Sequence, residues 1–111
     1  MEITADTRVL LVDDFTTSRS MIRQCLRDLG TELCIEAPTA EDALRALPRH
    51  KYGLALVDWH LPDSSGAELI QQIRTTRPKK SLVVLLMMMD QLDDQIARGK
   101  AAGMSGTIYK P

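Results

Sequence analysis

The chain has 111 residues, of which 44% are hydrophobic and 26% charged, enough for one domain with a single buried core. A formal net charge of -1 leaves no basic excess for direct nucleic-acid binding or for a polybasic membrane surface, and no apolar run is long enough to span a bilayer. No signal-peptide pattern is evident, so the expected compartment is the cytoplasm.

RVLLV (8–12) is an apolar run that ends in two aspartates. From Thr16, Ile22, Cys25, Leu26 and Leu29 recur at i, i+3, i+4 and i+7, the single face of an amphipathic helix, and Gly30 ends it as a glycine just past a helix does. LCIEA (33–37) is a shorter, less apolar strand. Ala40, Ala43, Leu44 and Leu47 repeat the helical spacing until Pro48 stops it. LALVD (54–58) reads as a buried strand, followed by the turn LPDSSG and a helix with Leu69, Ile70 and Ile73 on its face, closed by Pro78. SLVVLLM (81–87) is the most apolar strand, Leu92, Ile96 and Ala97 suggest a weaker helix, and TIY (107–109) is a last short strand. Cys25 and Cys34 lack C-x-x-C spacing and fall at apolar positions, which makes them small core residues rather than a disulfide or a metal pair.

Apolar strands without alternation belong to parallel sheets covered on both faces, with helices as the crossovers. The expected architecture is an open α/β sheet of five strands in one domain, its ligand site at the carboxyl ends of the strands. The polar residues fall there: Asp13 and Asp14 end the first strand, Asp58 the third and Lys110 the fifth. Taken singly, each has an ordinary reading as a turn residue, a helix cap or a solvated lysine. Together, three carboxylates repel and raise each other's pKa unless a cation sits among them. A hard oxygen-seeking cation such as Mg²⁺ meets that need. One aspartate can then serve as nucleophile toward a phosphoryl donor, with Mg²⁺ and the lysine offsetting charge on the transferred oxygens.

LVDDF, LVDWHLPDSSG and the terminal GTIYKP resemble the receiver domain of response regulators, most closely the CheY-type chemotaxis receivers, over residues 8–111. The resemblance implies a doubly wound, flavodoxin-like (CheY-like) sheet of strand order 2-1-3-4-5. It implies a phosphoacceptor signalling domain rather than an enzyme, with a cofactor Mg²⁺. Asp58 matches the phosphoacceptor, Asp14 the direct Mg²⁺ ligand, Asp13 a ligand acting mainly through water, and the backbone carbonyl of His60 completes the set. Lys110 matches the lysine that contacts the phosphoryl group. The implied donor is a sensor histidine kinase or phosphotransfer protein, and the implied output is a further domain or target protein that the sequence does not name. The family's turn after the matched lysine implies a cis Lys110–Pro111 bond.

The departures from the family pattern centre on LLMMMD (85–90). Counted without gaps, the place where receivers carry Thr or Ser falls on Met88, on the switch loop, with Met87 lining the core at the strand end. A thioether is a weak acceptor and cannot donate a hydrogen bond, so switching is expected to be altered. Met89 takes a position usually held by a small residue and is expected to restrict access to the acyl phosphate. Neighbours on a strand face opposite sides, which argues against a soft-metal site built from the three methionines. His60 and Asp90 occupy positions that tune autodephosphorylation in the family, and His60 is expected to be an exposed loop imidazole. Thr107 stands where an aromatic switch residue is common, and Trp59 is expected to be partly exposed beside the site. Receivers continue past the K-P pair into a fifth helix, so the sequence is expected to be a C-terminally incomplete receiver (1–111), with one sheet face beside the first helix short of cover.

Two other classes remain. One is a phosphorylation-independent pseudo-receiver serving as an interaction module. The other is a Mg²⁺-dependent aspartyl-phosphate phosphotransferase or phosphatase using Asp58 as nucleophile, which would need a general acid two residues further on, where His60 is a poor fit. A nicotinamide enzyme is disfavoured, because the first strand runs into Asp-Asp with no G-x-G-x-x-G.

Overall fold

A computed structural model describes residues 2–90 and 92–110. Strands and helices alternate: β1 (Val9–Val12), α1 (Thr16–Leu29), β2 (Cys34–Ala37), α2 (Ala40–Ala46), β3 (Leu54–Asp58), α3 (Gly66–Arg74), β4 (Val83–Met88), α4 (Asp93–Ala102) and β5 (Gly106–Tyr109). Pro48 does stop α2, and the chain then tightens into a 3-10 turn, Leu47–Arg49. All five strands are parallel, in the order β2-β1-β3-β4-β5. The chain steps from β1 outward to β2, then back across β1 to β3. That reversal opens a crevice between the carboxyl ends of β1 and β3, where open α/β sheets place their ligands.

Strand alternation divides the core into two layers. Val9, Leu11, Leu54, Leu56 and Met87 pack with Ile22 and Leu26 of α1. Leu10, Val12, Ala55, Val57, Val84, Leu86 and Met88 pack on the opposite side, with Leu69, Ile70 and Ile73 of α3 and the alanines of α2. The two layers are unequal. On the α1 side Val83, Leu85 and Ile108 are only half-buried.

Five residues depart from the sequence expectation. Cys25 is exposed rather than part of the core, and Leu29 is 60% exposed. The buried line of α1 is Ser18, Ile22 and Leu26, and Cys25 sits on its flank. Leu29 overhangs, because 14 helical residues run about 21 Å while the four residues of β1 run about 13 Å. Cys34 is half-buried, and burial pushes its thiol up to about 11. Trp59 is buried at 7% exposure, with the Arg98 guanidinium of α4 lying 5.1 Å from its ring centroid. Met88 is the last residue of β4, so of the three methionines only Met89 lies on the loop. The Lys110–Pro111 bond lies outside the described residues.

Candidate functional site at the carboxyl ends of β1, β3 and β5

Asp13 follows β1, where its backbone N–H donates to the Ala37 carbonyl at 3.1 Å, and its side chain is fully buried. Oδ1 accepts the Phe15 backbone N–H at 2.9 Å, and Oδ2 accepts the Ser18 hydroxyl at 2.6 Å. Asp58 ends β3 and is 7% exposed. Lys110 follows β5, where its backbone N–H donates to the Met88 carbonyl at 2.9 Å. Its ammonium bridges both carboxylates, 3.0 Å from Asp13 Oδ2 and 3.1 Å from Asp58 Oδ2.

Burial raises the Asp58 carboxyl above the usual carboxylate range, Lys110 acts the other way, and the Asp13 charge adds to the rise. Burial also opposes the Lys110 charge, but the Asp13 and Asp58 carboxylates outweigh it and hold the ammonium above its usual range. The lysine is therefore a fixed positive charge across the physiological pH range.

Asp14 is exposed and completes an acidic cluster. Asp13, Asp14 and Asp58 each offer one carboxylate oxygen, the three lying within 4.8 Å of one another. Such an all-oxygen, anionic donor set, open to water on the Asp14 side, fits a hard divalent cation such as Mg²⁺, which keeps several waters when bound.

A cleft of about 230 Å³ beside Asp58 is lined by Trp59, His60, Met88, Met89, Asp90, Leu92, Gln95 and Lys110. Thus Met88, Met89, Asp90 and His60 all come to the site, with His60 exposed. Thr107 does not line this cleft; it sits half-buried in β5 opposite Leu86. Met89 is 82% exposed and also borders a second cleft with Phe15, Thr17, Ser18, Met21 and Lys110.

Sequence reasoning missed Ser18 and Arg19. Arg19 donates from Nη1 to the Asp13 carbonyl at 2.7 Å and from Nε to Glu36 at 3.0 Å. The available signal was position: both lie in the first turn of the helix that follows Asp13, where side chains reach back toward the preceding strand end.

Fold and pocket together define a flavodoxin-like α/β domain with an acidic, lysine-bridged site at the point where its strand order reverses. Residues 9–111 match the response regulator receiver domain family. The chain belongs to that family, the CheY-like receivers of two-component signalling. It is 35% identical over 104 residues to "Chemotaxis protein CheY" of Pseudomonas aeruginosa, covering 94% of this chain and 84% of that protein. It is 37% identical over 107 residues to "Chemotaxis protein CheY-3" of Vibrio cholerae, covering 94% and 80%. The crystallised chemotaxis protein CheY4 of Vibrio cholerae superposes with a TM-score of 0.86 at 27% identity, over 95% of this chain and 87% of that one.

Proposed function

We propose that this receiver accepts a phosphoryl group on Asp58 from a phosphohistidine of a sensor histidine kinase or phosphotransfer protein. The observation that supports it most is the Lys110 ammonium held between Asp13 and Asp58 at 3.0 and 3.1 Å. An Asp58 carboxylate oxygen attacks phosphorus, the P–N bond to the donor imidazole breaks, and the imidazole leaves with the electron pair and takes up a proton. Asp13, Asp14, Asp58 and the backbone carbonyl of His60 would hold Mg²⁺, which supplies neutralisation of the oxygens in transfer. Lys110 supplies the second positive charge and orients the phosphoryl group.

Met88 leaves transfer intact and weakens its readout. Transfer depends on Asp58, Lys110 and the acidic pair, whereas the switch in this family depends on a hydroxyl that bonds the phosphoryl group. A ligand shifts a conformational equilibrium only through contacts that differ between the states. Met89 and Asp90 stand at the cleft mouth, where they tune phosphoryl lifetime, and Thr107 stands in for the aromatic switch residue. A cytoplasmic setting, with an output domain or target protein, goes with this reading.

The test is intact-mass measurement after acetyl phosphate plus Mg²⁺. Wild type should gain the mass of one phosphoryl group and Asp58→Asn should not. No gain in wild type would favour the phosphorylation-independent interaction module, a reading that the buried, hydroxyl-free Met88 keeps in play.

A further inference from the structure

We infer that Ser18 is a positioning residue whose hydroxyl frees Lys110 to leave Asp13 for the phosphoryl group; the inference rests on Asp58 being the phosphoacceptor. Asp13 is fully buried; its Oδ2 accepts the Ser18 hydroxyl at 2.6 Å and forms an ion pair with the Lys110 ammonium at 3.0 Å. The same ammonium is already shared with Asp58 Oδ2 at 3.1 Å. New anionic oxygens on Asp58 attract the lysine, and every step it takes toward them strips a donor from Asp13. A buried carboxylate oxygen left with no partner incurs its full desolvation penalty. With Ser18 in place, Oδ2 keeps a short, charge-assisted bond throughout. Without it, the lysine is the one protein group left on Oδ2 among the described residues, and Asp13 holds it back.

The hydroxyl is not needed to hold α1 in position. The Phe15 N–H on Asp13 Oδ1 and Arg19 on the Asp13 carbonyl already tie the first turn of α1 to the end of β1. Nor does Ser18 cap the helix: the cap position is Phe15, with no side-chain bond, and Ser18 lies inside α1 at 8% exposure. Its hydroxyl points to Asp13 instead. The site therefore carries a hydroxyl on its α1 side while Met88 leaves the β4 side without one.

The experiment uses the full chain with Mg²⁺ and beryllofluoride as the phosphoryl mimic. Two signals are followed: the ¹⁹F resonance of the bound mimic and the Lys110 side-chain ¹³Cε–¹H resonance. Wild type and Ser18→Thr, which keeps the hydroxyl, should bind the mimic and move the Lys110 signal. Ser18→Ala should bind roughly tenfold more weakly, the effect of losing one charge-assisted bond, and show a reduced Lys110 shift at saturation. Arg19→Ala loosens α1 without touching Oδ2 and should leave the Lys110 shift at saturation unchanged. If Ser18→Ala does not fold, Ser18→Cys, a weak donor of similar shape, should show the same reduced shift. Equal affinity and equal Lys110 shift in wild type and Ser18→Ala would overturn the role of Ser18 while leaving Asp58 as acceptor. No bound ¹⁹F signal in wild type would overturn the acceptor reading and this inference with it.

Discussion

Met88 answers two demands with one side chain. It is 1% exposed within the layer of Val84, Leu86 and Ile70, and it also lines the cleft beside Asp58. Met88→Thr therefore exchanges packing for a hydroxyl. It should cost about 2 kcal/mol in denaturant unfolding, the scale of a shortened core side chain. In return, amide NMR with and without beryllofluoride should show larger changes at Met89, Asp90 and Thr107 than in wild type. Wild-type changes already as large as the variant's would show that the hydroxyl is dispensable here. The acidic residues and Lys110 were legible in the sequence because each directly ends or follows an apolar strand, and parallel strands share one carboxyl rim. The burial of Trp59 was not, since its partners, among them Arg98, 39 positions further along the chain, come together only in the fold. Cys25 failed for a related reason: spacing defines a helix face but not whether a neighbour covers all of it.

The joint between β3 and α3 leaves room for nothing but hydrogen at Gly66. A Cβ there would lie 2.9 Å from Leu86 Cδ1 and 3.0 Å from the Trp59 Cα, and closer still to the Asp58 carbonyl oxygen. Gly66→Ala should thus destabilise the fold by about 1–3 kcal/mol, read as a lower denaturant midpoint at unchanged slope. It should also slow phosphoryl transfer to Asp58, the proposed acceptor, because the carbonyl oxygen it displaces belongs to that residue. The joint between α1 and β2 is electrostatic. Glu36 accepts from Arg19 at 3.0 Å and Arg23 at 2.7 Å; burial opposes its charge, but the two guanidinium groups prevail and hold its carboxyl below the usual range. A carboxyl lowered in the folded state contributes stability above its unfolded value, near pH 4.3, that is lost as pH falls through the folded value. Stability should therefore fall less between pH 6 and pH 3 in Glu36→Gln than in wild type. Equal losses in both would rule the clamp out as an acid-sensitive element. Element boundaries were less legible than element types. SLVVLLM begins two residues before β4 does, because Ser81 is drawn into a turn by its N–H bond to the Pro78 carbonyl at 2.9 Å.

For the molecule as a whole, a cation held at the acidic cluster would couple its binding to folding. The three carboxylates converge only when β1 and β3 are paired, so a cation at the cluster favours the folded chain. At a hundredfold excess over its dissociation constant such an ion contributes about 2.7 kcal/mol, which for a domain of this size raises Tm by about 10 °C. Wild type should show that rise between EDTA and saturating Mg²⁺, and Asp14→Ala should not. The same rise in Asp14→Ala would sink the assignment of the cluster as the Mg²⁺ site. β1, β3 and β4 were legible as uninterrupted apolar runs, and β2 and β5 only as short strands between helical patterns. Their order came with the family resemblance, because buried strands of similar composition do not state their neighbours.

One consequence of the lysine bridge concerns an edge of the sheet. Among the described residues β5 pairs only with β4, and Gly106, Thr107 and Ile108 are only half-buried. Strands so placed leave a sheet by local fluctuations that spare the rest of the fold, and their amides exchange with solvent sooner than those of the central strands. Asp13 and Asp58 ride on two interior strands, β1 and β3, while Lys110 rides on this edge. The ammonium is therefore a latch as well as a charge. Each bond it makes to the central carboxylates lengthens the residence of β5 in the sheet, and a group on Asp58 that grips the lysine harder slows the departure of the edge strand.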